Sequence, residues 1–473
     1  MPLLLGTETE YGITAPGRPD LDAHALSALV VEACGVPATP VVEDSRHRML
    51  GNGGRFYVDH GHPEYCTPET TSATDALVWE LAGDRIVADA AARVSDALGT
   101  PVRVFKNNTD GKGQSYGYHE NYLLRRSTPW ETIEAALPAV LVTRVLVGGA
   151  GRVGLGPASE GAGFQLSQRA DFFERVAGID TTQRRGIVNT RDEPHALPSQ
   201  WRRLHVIAGD ATRSPFATWL GLGVLGLCLA ALEEGALPVI RLADPVAAFR
   251  TISRDLRLAE PLALSDGSRA TALEVQRELC EAVRGYVGGG GRAGTEAAAV
   301  LDAWADVLDD LVHHGPAGVA DRLDWAAKLA LLEGYRTRDG LGWDHPKLAQ
   351  VDLAWAELGS GNIVDRLLAA GRLRPGPADA AAVASALTSA PADTRAATRG
   401  RWITDHVDHV VAAGWDSLLV RDSGGGLHPL RMVDPFDHAD PPAGAVPDHL
   451  IRWHGTRQVG SGPGRNAGSP AQR

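Results

Sequence analysis

Glutamates two residues apart open the chain. In Gly-Thr-Glu-Thr-Glu-Tyr-Gly at 6–12, Glu8 and Glu10 share one face of any strand, because successive strand side chains point to opposite sides. Two like charges on one face repel, so that face is either solvated or shared with a cation. The same arithmetic in Asn-Gly-Gly-Arg-Phe-Tyr-Val-Asp-His-Gly-His-Pro-Glu-Tyr at 52–65 puts Arg55, Tyr57 and Asp59 on one face and Phe56 and Val58 on the other, with Glu64 five residues beyond Asp59. Hard oxygen ligands of this kind suit Mg²⁺, with ATP phosphates completing the shell. A structural ion-pair network is the competing explanation.

Two further segments favour the metal reading. Phe105–Leu123 reads as a polar, glycine-bearing hairpin whose second strand puts His119 and Asn121 on one face and Glu120 and Tyr122 on the other. Asn189–His195 is a charged loop in which Arg191 has Asp192 as a simple partner. In Trp201–Ile207, Arg203 and His205 share a face, a good placement for phosphate oxygens. The common nucleotide and nucleophile signatures are missing: there is no GxxxxGK[ST] and no GxSxG. Gly221–Gly226 matches GxGxxG but lies inside an apolar helical run instead of directly after a strand, so helix packing explains it better than a dinucleotide.

The elements that must position these residues follow from periodicity. Strands are expected at Leu3–Ile13, Gly54–His60, Val102–Lys106, His119–Arg125, Gly186–Asn189 and Leu204–Ala208, and a helix at Thr74–Leu98 with Leu77, Leu81, Ile86, Val87 and Ala90 on its apolar side. From 214 to about 370 the pattern is mainly helical, broken by the loop Gly288–Gly291. Ser214–Leu232 carries no charge and is long enough to raise a membrane helix, but Pro215, Gly221, Gly223 and Gly226 favour a tightly packed core helix. Residues 374–393, rich in Pro, Ala, Asp and Thr, read as a connector. A short unit with a strand at Ser417–Val420 follows, and beyond about 453 the tail is too poor in apolar residues to order itself.

With 473 residues, 44% of them hydrophobic, the chain supports one large core or two unequal domains. Its 46 basic and 58 acidic residues, a net charge of -12, exclude nucleic-acid binding through the overall field. Cys34, Cys66, Cys228 and Cys280 form no CxxC, which removes zinc ribbons and redox motifs and suits a reducing compartment. The first residues lack the basic region of a secretion signal, and the cytoplasm is the expected location.

The motifs GTETEYGI, NGGRFYVDHGHPEY, FKNNTDGKGQSYGYHENYL, GFQLSQRADFFE, NTRDEPH and WRRLHVIAGD, in this order, resemble the family that handles the prokaryotic ubiquitin-like protein Pup, the ligase PafA and the depupylase and deamidase Dop. The resemblance runs from residue 3 to about 437. It implies an α+β fold with a glutamine-synthetase-like curved antiparallel sheet backed by helices: a catalytic domain at 1–393, a small C-terminal domain at 394–452 and a disordered tail at 453–473. It further implies bound ATP and Mg²⁺, with Glu8, Tyr57 and Glu64 as magnesium ligands and Glu10 and His119 close to the metals. Arg55, Thr67, Arg203, His205 and Trp415 would contact ATP, and Asp59 would be the catalytic carboxylate.

Local wording is closer to Dop. The stretch Tyr57–Glu64 lacks the extra serine that the ligases place before His-Pro-Glu, and Asp110–Gly113, Gly151–Pro157 and Trp415–Ser417 resemble the depupylase version. Against that, Dop proteins carry a long insertion before the NGxR motif, and here only 38 residues (14–51) intervene. The expected reaction is hydrolysis of the side-chain amide or isopeptide at the C-terminal Gln or Glu of Pup, with ATP organising the site and with Pup and pupylated proteins as partners. The alternatives are a Pup ligase working through a γ-glutamyl phosphate, a small-molecule carboxylate-amine ligase and a catalytically silent Pup-binding regulator.

Overall fold

A computed structural model of the chain describes residues 3–41 and 46–438. The tail expected at 453–473 and the end of the expected small domain lie outside them. The centre of the fold is a six-stranded, wholly antiparallel sheet in the spatial order Trp201–Val206, Tyr118–Arg125, Leu4–Glu10, His62–Cys66, Arg55–Asp59, Arg48–Met49. Alternation sorts its two faces. Leu5, Phe56, Tyr65, Tyr122, Leu204 and Val206 are buried and meet the helices behind the sheet. Glu8, Glu10, Asp59, Glu64, His119 and His205 emerge on the front, where they line one cavity.

The expected helix forms at Ala73–Leu98: the Ser72 side chain accepts from Asp75 N at its start, and Gly99 ends it with φ +64°. Its inner face buries Leu77, Ile86, Val87 and Ala90. Glu80 and Asp84 are buried too, and both receive Lys106 Nζ, at 2.7 and 3.0 Å. Tyr118 Oη donates to Glu80 (2.9 Å) and Tyr11 Oη to Asp84 (2.8 Å), so this charged knot is fully partnered behind the strands that carry Glu10 and His119.

The charge-free run forms the helix Pro215–Glu233, capped by Ser214. By length and composition it would cross a membrane, yet 83% of its most apolar window is buried inside the protein. A Cβ at Gly223 would lie 2.8 Å from Val300, and one at Gly226 2.8 Å from Leu3, so these glycines of the GxGxxG match serve close packing.

Two expectations are corrected. Phe105 and His119 do not belong to one hairpin: Arg103–Phe105 pairs with Gly12–Thr14 in a separate two-stranded sheet, and only the bridge Thr109–Ser115 closes the loop between them. The stretch 374–393 is not a bare connector either, since it contains the helix Ala380–Ser385, whose Val383 is buried together with Ala386 against Val78 and Ala82. Farther on, the helix Ala396–Asp405 and a three-stranded antiparallel sheet, Val410–Ala413, Ser417–Arg421 and Leu427–Arg431, enclose a small core of their own around Trp402, Leu418, Val420 and Leu430.

Candidate active site

Sheet register brings the front-face residues into two adjacent rows. Glu10 lies opposite Glu64, which lies opposite Tyr57. In the next row His119 pairs with Glu8, Glu8 with Cys66, and Cys66 with Arg55. Side chains from the two rows gather into two triads, Glu10–Asp59–Glu64 and Glu8–His119–His205, each with its ligand atoms within 4.8 Å of one another.

The electrostatics of the first triad call for a cation. Glu64 is 1% exposed and its Oε2 has no hydrogen-bond partner. Burial, followed by the charges of Glu8, Glu10 and Asp59, pushes the Glu64 carboxyl well above its usual range. Three carboxylates this close do not all stay ionised unaided: Glu64 keeps its proton unless positive charge sits among them, and their oxygen donors fit a hard divalent ion such as Mg²⁺. Burial likewise holds the Tyr57 phenol far above its ordinary value, with Glu64 adding to the effect, so Tyr57 offers a neutral oxygen.

The second triad is ordered by Asn121. Its Nδ2 donates to Glu8 Oε1 (2.9 Å), while its Oδ1 accepts from Arg203 Nη1 (3.0 Å) and meets His205 Nδ1 (2.9 Å). His119 Nδ1 lies 3.1 Å from Glu8 Oε2. Burial alone would raise Glu8, but the hydrogen bond to His119 and the positive charge around it, including that of Arg203, outweigh it and hold the carboxyl well below its usual range. Burial drives His205 down to about 3, which leaves a neutral imidazole, the form that binds metal. His205 thus lies beside Glu8 and His119 on the larger cavity; the resemblance implies an ATP contact for it. A Cβ at Gly117 would lie 2.5 Å from Glu10 Oε1 and 2.6 Å from His119 Nε2, so any larger residue there would displace these site groups.

Both triads line a cavity of about 590 Å³. Arg169, Arg185 and Arg191 line it as well. Arg169 is 1% exposed and keeps Nε and Nη1 without partners. Burial, then the charge of Arg185, lowers it to about 10. An unneutralised buried guanidinium is costly, and an anionic group entering the cavity would relieve it. Asp192 is taken up by Arg126 at 2.5 Å, which leaves Arg191 on the cavity wall instead of in the simple pair.

A second cavity, about 90 Å³, adjoins the first through Glu8 and is lined by Gly6, Thr67, Glu69, Arg203, Arg395 and Trp415 among others. Thr67 Oγ1 accepts from Thr7 N at 2.8 Å. Trp415 comes from the small C-terminal sheet region and is held by Arg399, which donates to the Trp415 carbonyl (2.7 Å) and lies 5.0 Å from the indole centroid. Arg399 also donates to Gly53 O (2.7 Å) and Glu69 Oε2 (2.5 Å), and Arg395 Nε to Glu69 Oε1 (2.7 Å). Thr67, Arg203 and Trp415 thus meet in one place. Arg55 lines neither cavity: its guanidinium lies 4.3 Å from the Tyr57 ring centroid.

Sequence reasoning named neither Arg169 nor the Glu69–Arg395–Arg399 cage. Arg169 carries a usable signal, a single arginine within GFQLSQRADFF with no acidic residue at helical or strand spacing before it.

A family model described as Pup-ligase protein matches residues 3–419. The chain is 43% identical to the depupylase of Acidothermus cellulolyticus, covering 88% of this chain and 90% of that one. It is 39% identical to the Pup deamidase/depupylase of Mycolicibacterium smegmatis (95% and 98% covered) and 39% identical to the Pup–protein ligase of Micrococcus luteus (92% and 95%). Among solved structures, the complex between Pup and its ligase PafA matches with a TM-score of 0.83 at 33% identity, over 93% of this chain and 90% of that one. The Pup ligase PafA in complex with ADP matches with 0.77 at 35% identity, over 84% and 88%. With its two carboxylate-bearing rows, its paired cavities and a match of this length, the chain belongs to the Pup-ligase protein family.

Proposed function

We propose that the protein hydrolyses the side-chain amide at the C-terminal residue of Pup, either the glutamine amide or the isopeptide to a substrate lysine, with Mg·ATP bound. The observation that carries the choice of hydrolysis is the turn after Asp59. Only His60 and Gly61 separate the strands, so that Asp59 stands directly opposite His62, without the additional serine that the resemblance assigns to the ligases. The greater identity to the depupylase than to the ligase points the same way.

The smaller cavity would take the nucleotide, with Trp415 against its base and Arg203 and Thr67 towards its phosphates. Glu8, Tyr57, Glu64, Glu10, His119 and His205 would hold divalent cations, which when bound neutralise charge on phosphate and on a developing oxyanion. Asp59 lies at the edge of the larger cavity with 35% of its side chain exposed, in reach of an incoming group. As a base it takes a proton from water, whose oxygen adds to the amide carbonyl, and the C–N bond breaks as the nitrogen leaves with that proton; as a nucleophile its carboxylate adds to the carbonyl, the nitrogen leaves with a proton from water, and the hydroxide so formed cleaves the mixed anhydride back to two carboxylates. Arg169 and Arg185 would bind the anionic end of the Pup C-terminus and offset negative charge on the carbonyl oxygen.

We assign residues 1–393 to the catalytic domain and 394–452 to a small domain that closes the nucleotide side through Trp415. A gel assay of Pup released from a pupylated protein tests the reading, together with Asp59→Asn. The wild type is expected to release Pup only with Mg·ATP. The variant should retain nucleotide binding and lose activity by about 10²–10⁴-fold, the range for a group that carries a proton in the transition state. Intact release by Asp59→Asn would remove Asp59 from the chemistry. Conjugation of Pup ending in Glu to a lysine protein, with stoichiometric ADP, would favour the ligase reading, which the similarity to the Micrococcus luteus enzyme supports.

A further inference from the structure

The turn between Arg55–Asp59 and His62–Cys66 is built from His60 and Gly61, both at positive φ (+46° and +91°). Two successive left-handed residues match the twist of a tight antiparallel hairpin. Glycine takes that conformation freely, whereas a residue with a Cβ is crowded there against its own carbonyl. A second glycine at 60 would make this turn more easily, so the histidine is present at a conformational cost.

What it contributes is visible in its side chain. The imidazole folds back over the turn and places Nδ1 2.8 Å from Asp59 Oδ2, beside the larger cavity that both residues line. Among the described residues no other side chain hydrogen-bonds Asp59. Glu8 is held by Asn121 and His119, and Glu10 and Glu64 pair with each other across adjacent strands, while Asp59 ends its strand and receives its one side-chain hydrogen bond among the described residues from His60.

We propose that His60 is a positioning residue for Asp59: its Nδ1–H holds Oδ2 and leaves Oδ1 as the oxygen that meets the reacting atom. The inference rests on the amide-hydrolysis reading above. It accounts for a non-glycine residue at a left-handed position, and it makes the Asp-His-Gly-His sequence a functional unit in place of a simple connection.

Two replacements separate orientation from folding. His60→Gly removes the donor while easing the backbone. His60→Asn keeps a donor, since its Nδ2 stands at the same number of bonds from Cα as the histidine Nδ1, and asparagine tolerates positive φ. Expected for His60→Gly are a kcat about ten- to a hundredfold lower, the usual loss when a supporting hydrogen bond to a site residue is removed, an unchanged KM for pupylated protein and a thermal midpoint no lower than the wild type. His60→Asn is expected to restore kcat close to the wild-type value.

A His60→Gly enzyme with wild-type kcat would overturn the proposal, as would a His60→Asn enzyme as slow as His60→Gly. If the wild type conjugates Pup but cleaves no conjugate, the hydrolytic reading fails by itself and the same variants are compared in conjugation. A wild type with neither reaction overturns both.

Discussion

Replacing Glu69 with glutamine tests how the C-terminal region is fastened over the smaller cavity. Glu69 has a side chain 12% exposed and receives Arg395 and Arg399, whose own side chains are 3% and 0% exposed. Burial by itself would raise the Glu69 carboxyl, but the two guanidinium groups outweigh it and hold it at about 2 instead of 4.5. A difference of about 2.5, at about 1.4 kcal/mol each, is on the order of 3 kcal/mol of stability carried by the ionised form. The sign is that of a depressed acid: the contribution is fully present above the unfolded value near 4.5 and is lost as pH falls towards 2. Glu69→Gln should therefore lower stability at neutral pH by on the order of 3 kcal/mol, because Arg395 and Arg399 stay buried with no neutralising partner. The gap from the wild type should hold constant down to about pH 4.5 and close below it. Equilibrium unfolding followed by tryptophan fluorescence reads this out, since Trp415 lies against Arg399, and nucleotide titration should show weaker binding at neutral pH. Equal stability of the variant and the wild type at neutral pH, or a gap between them that widens on acidification, would refute the reasoning.

Two further perturbations act on opposite sides of the sheet. Lys106→Met leaves Glu80 and Asp84 buried without their shared cation and is expected to cost about 3–5 kcal/mol in denaturant unfolding, with the loss of order reaching Glu10 and His119 through Tyr11 and Tyr118. Arg169→Met removes a buried guanidinium with two unpartnered nitrogens; the variant should be more stable by on the order of 1–3 kcal/mol and should turn over Pup conjugates far more slowly, through a raised KM and a lowered kcat, a combination that thermal melts and steady-state kinetics together detect.

Period-two alternation made the front face legible in the sequence. Glu8 with Glu10, and Arg55 with Tyr57 and Asp59, could be placed together because a strand leaves only two sides to choose between. The apolar periodicity that marked Thr74–Leu98 found its helix to within one residue at the start. What alternation cannot supply is partnership across long sequence separations. Arg103–Phe105 chose Gly12–Thr14 over its nearer neighbour, and nothing local to either strand encodes that choice. The cage of Glu69 with Arg395 and Arg399 joins residues more than three hundred positions apart, and each looks like an ordinary surface charge in its own segment. Composition misled at 374–393, where alanines that read as loose chain are a short helix docked by Val383 and Ala386.

Glu8 is a wall of both cavities, and that single shared side chain sets a thermodynamic condition on the enzyme. With nucleotide in the smaller cavity and the Pup terminus in the larger, as proposed above, any shift of Glu8 that one occupant produces is felt by the other, and the two would be bound with a common interaction energy. Reciprocity then requires that the factor by which nucleotide alters the affinity for the Pup terminus equals the factor by which the Pup terminus alters the affinity for nucleotide. On the proposed reading the strength of this coupling is measurable from the affinity of either ligand alone against that of the pair.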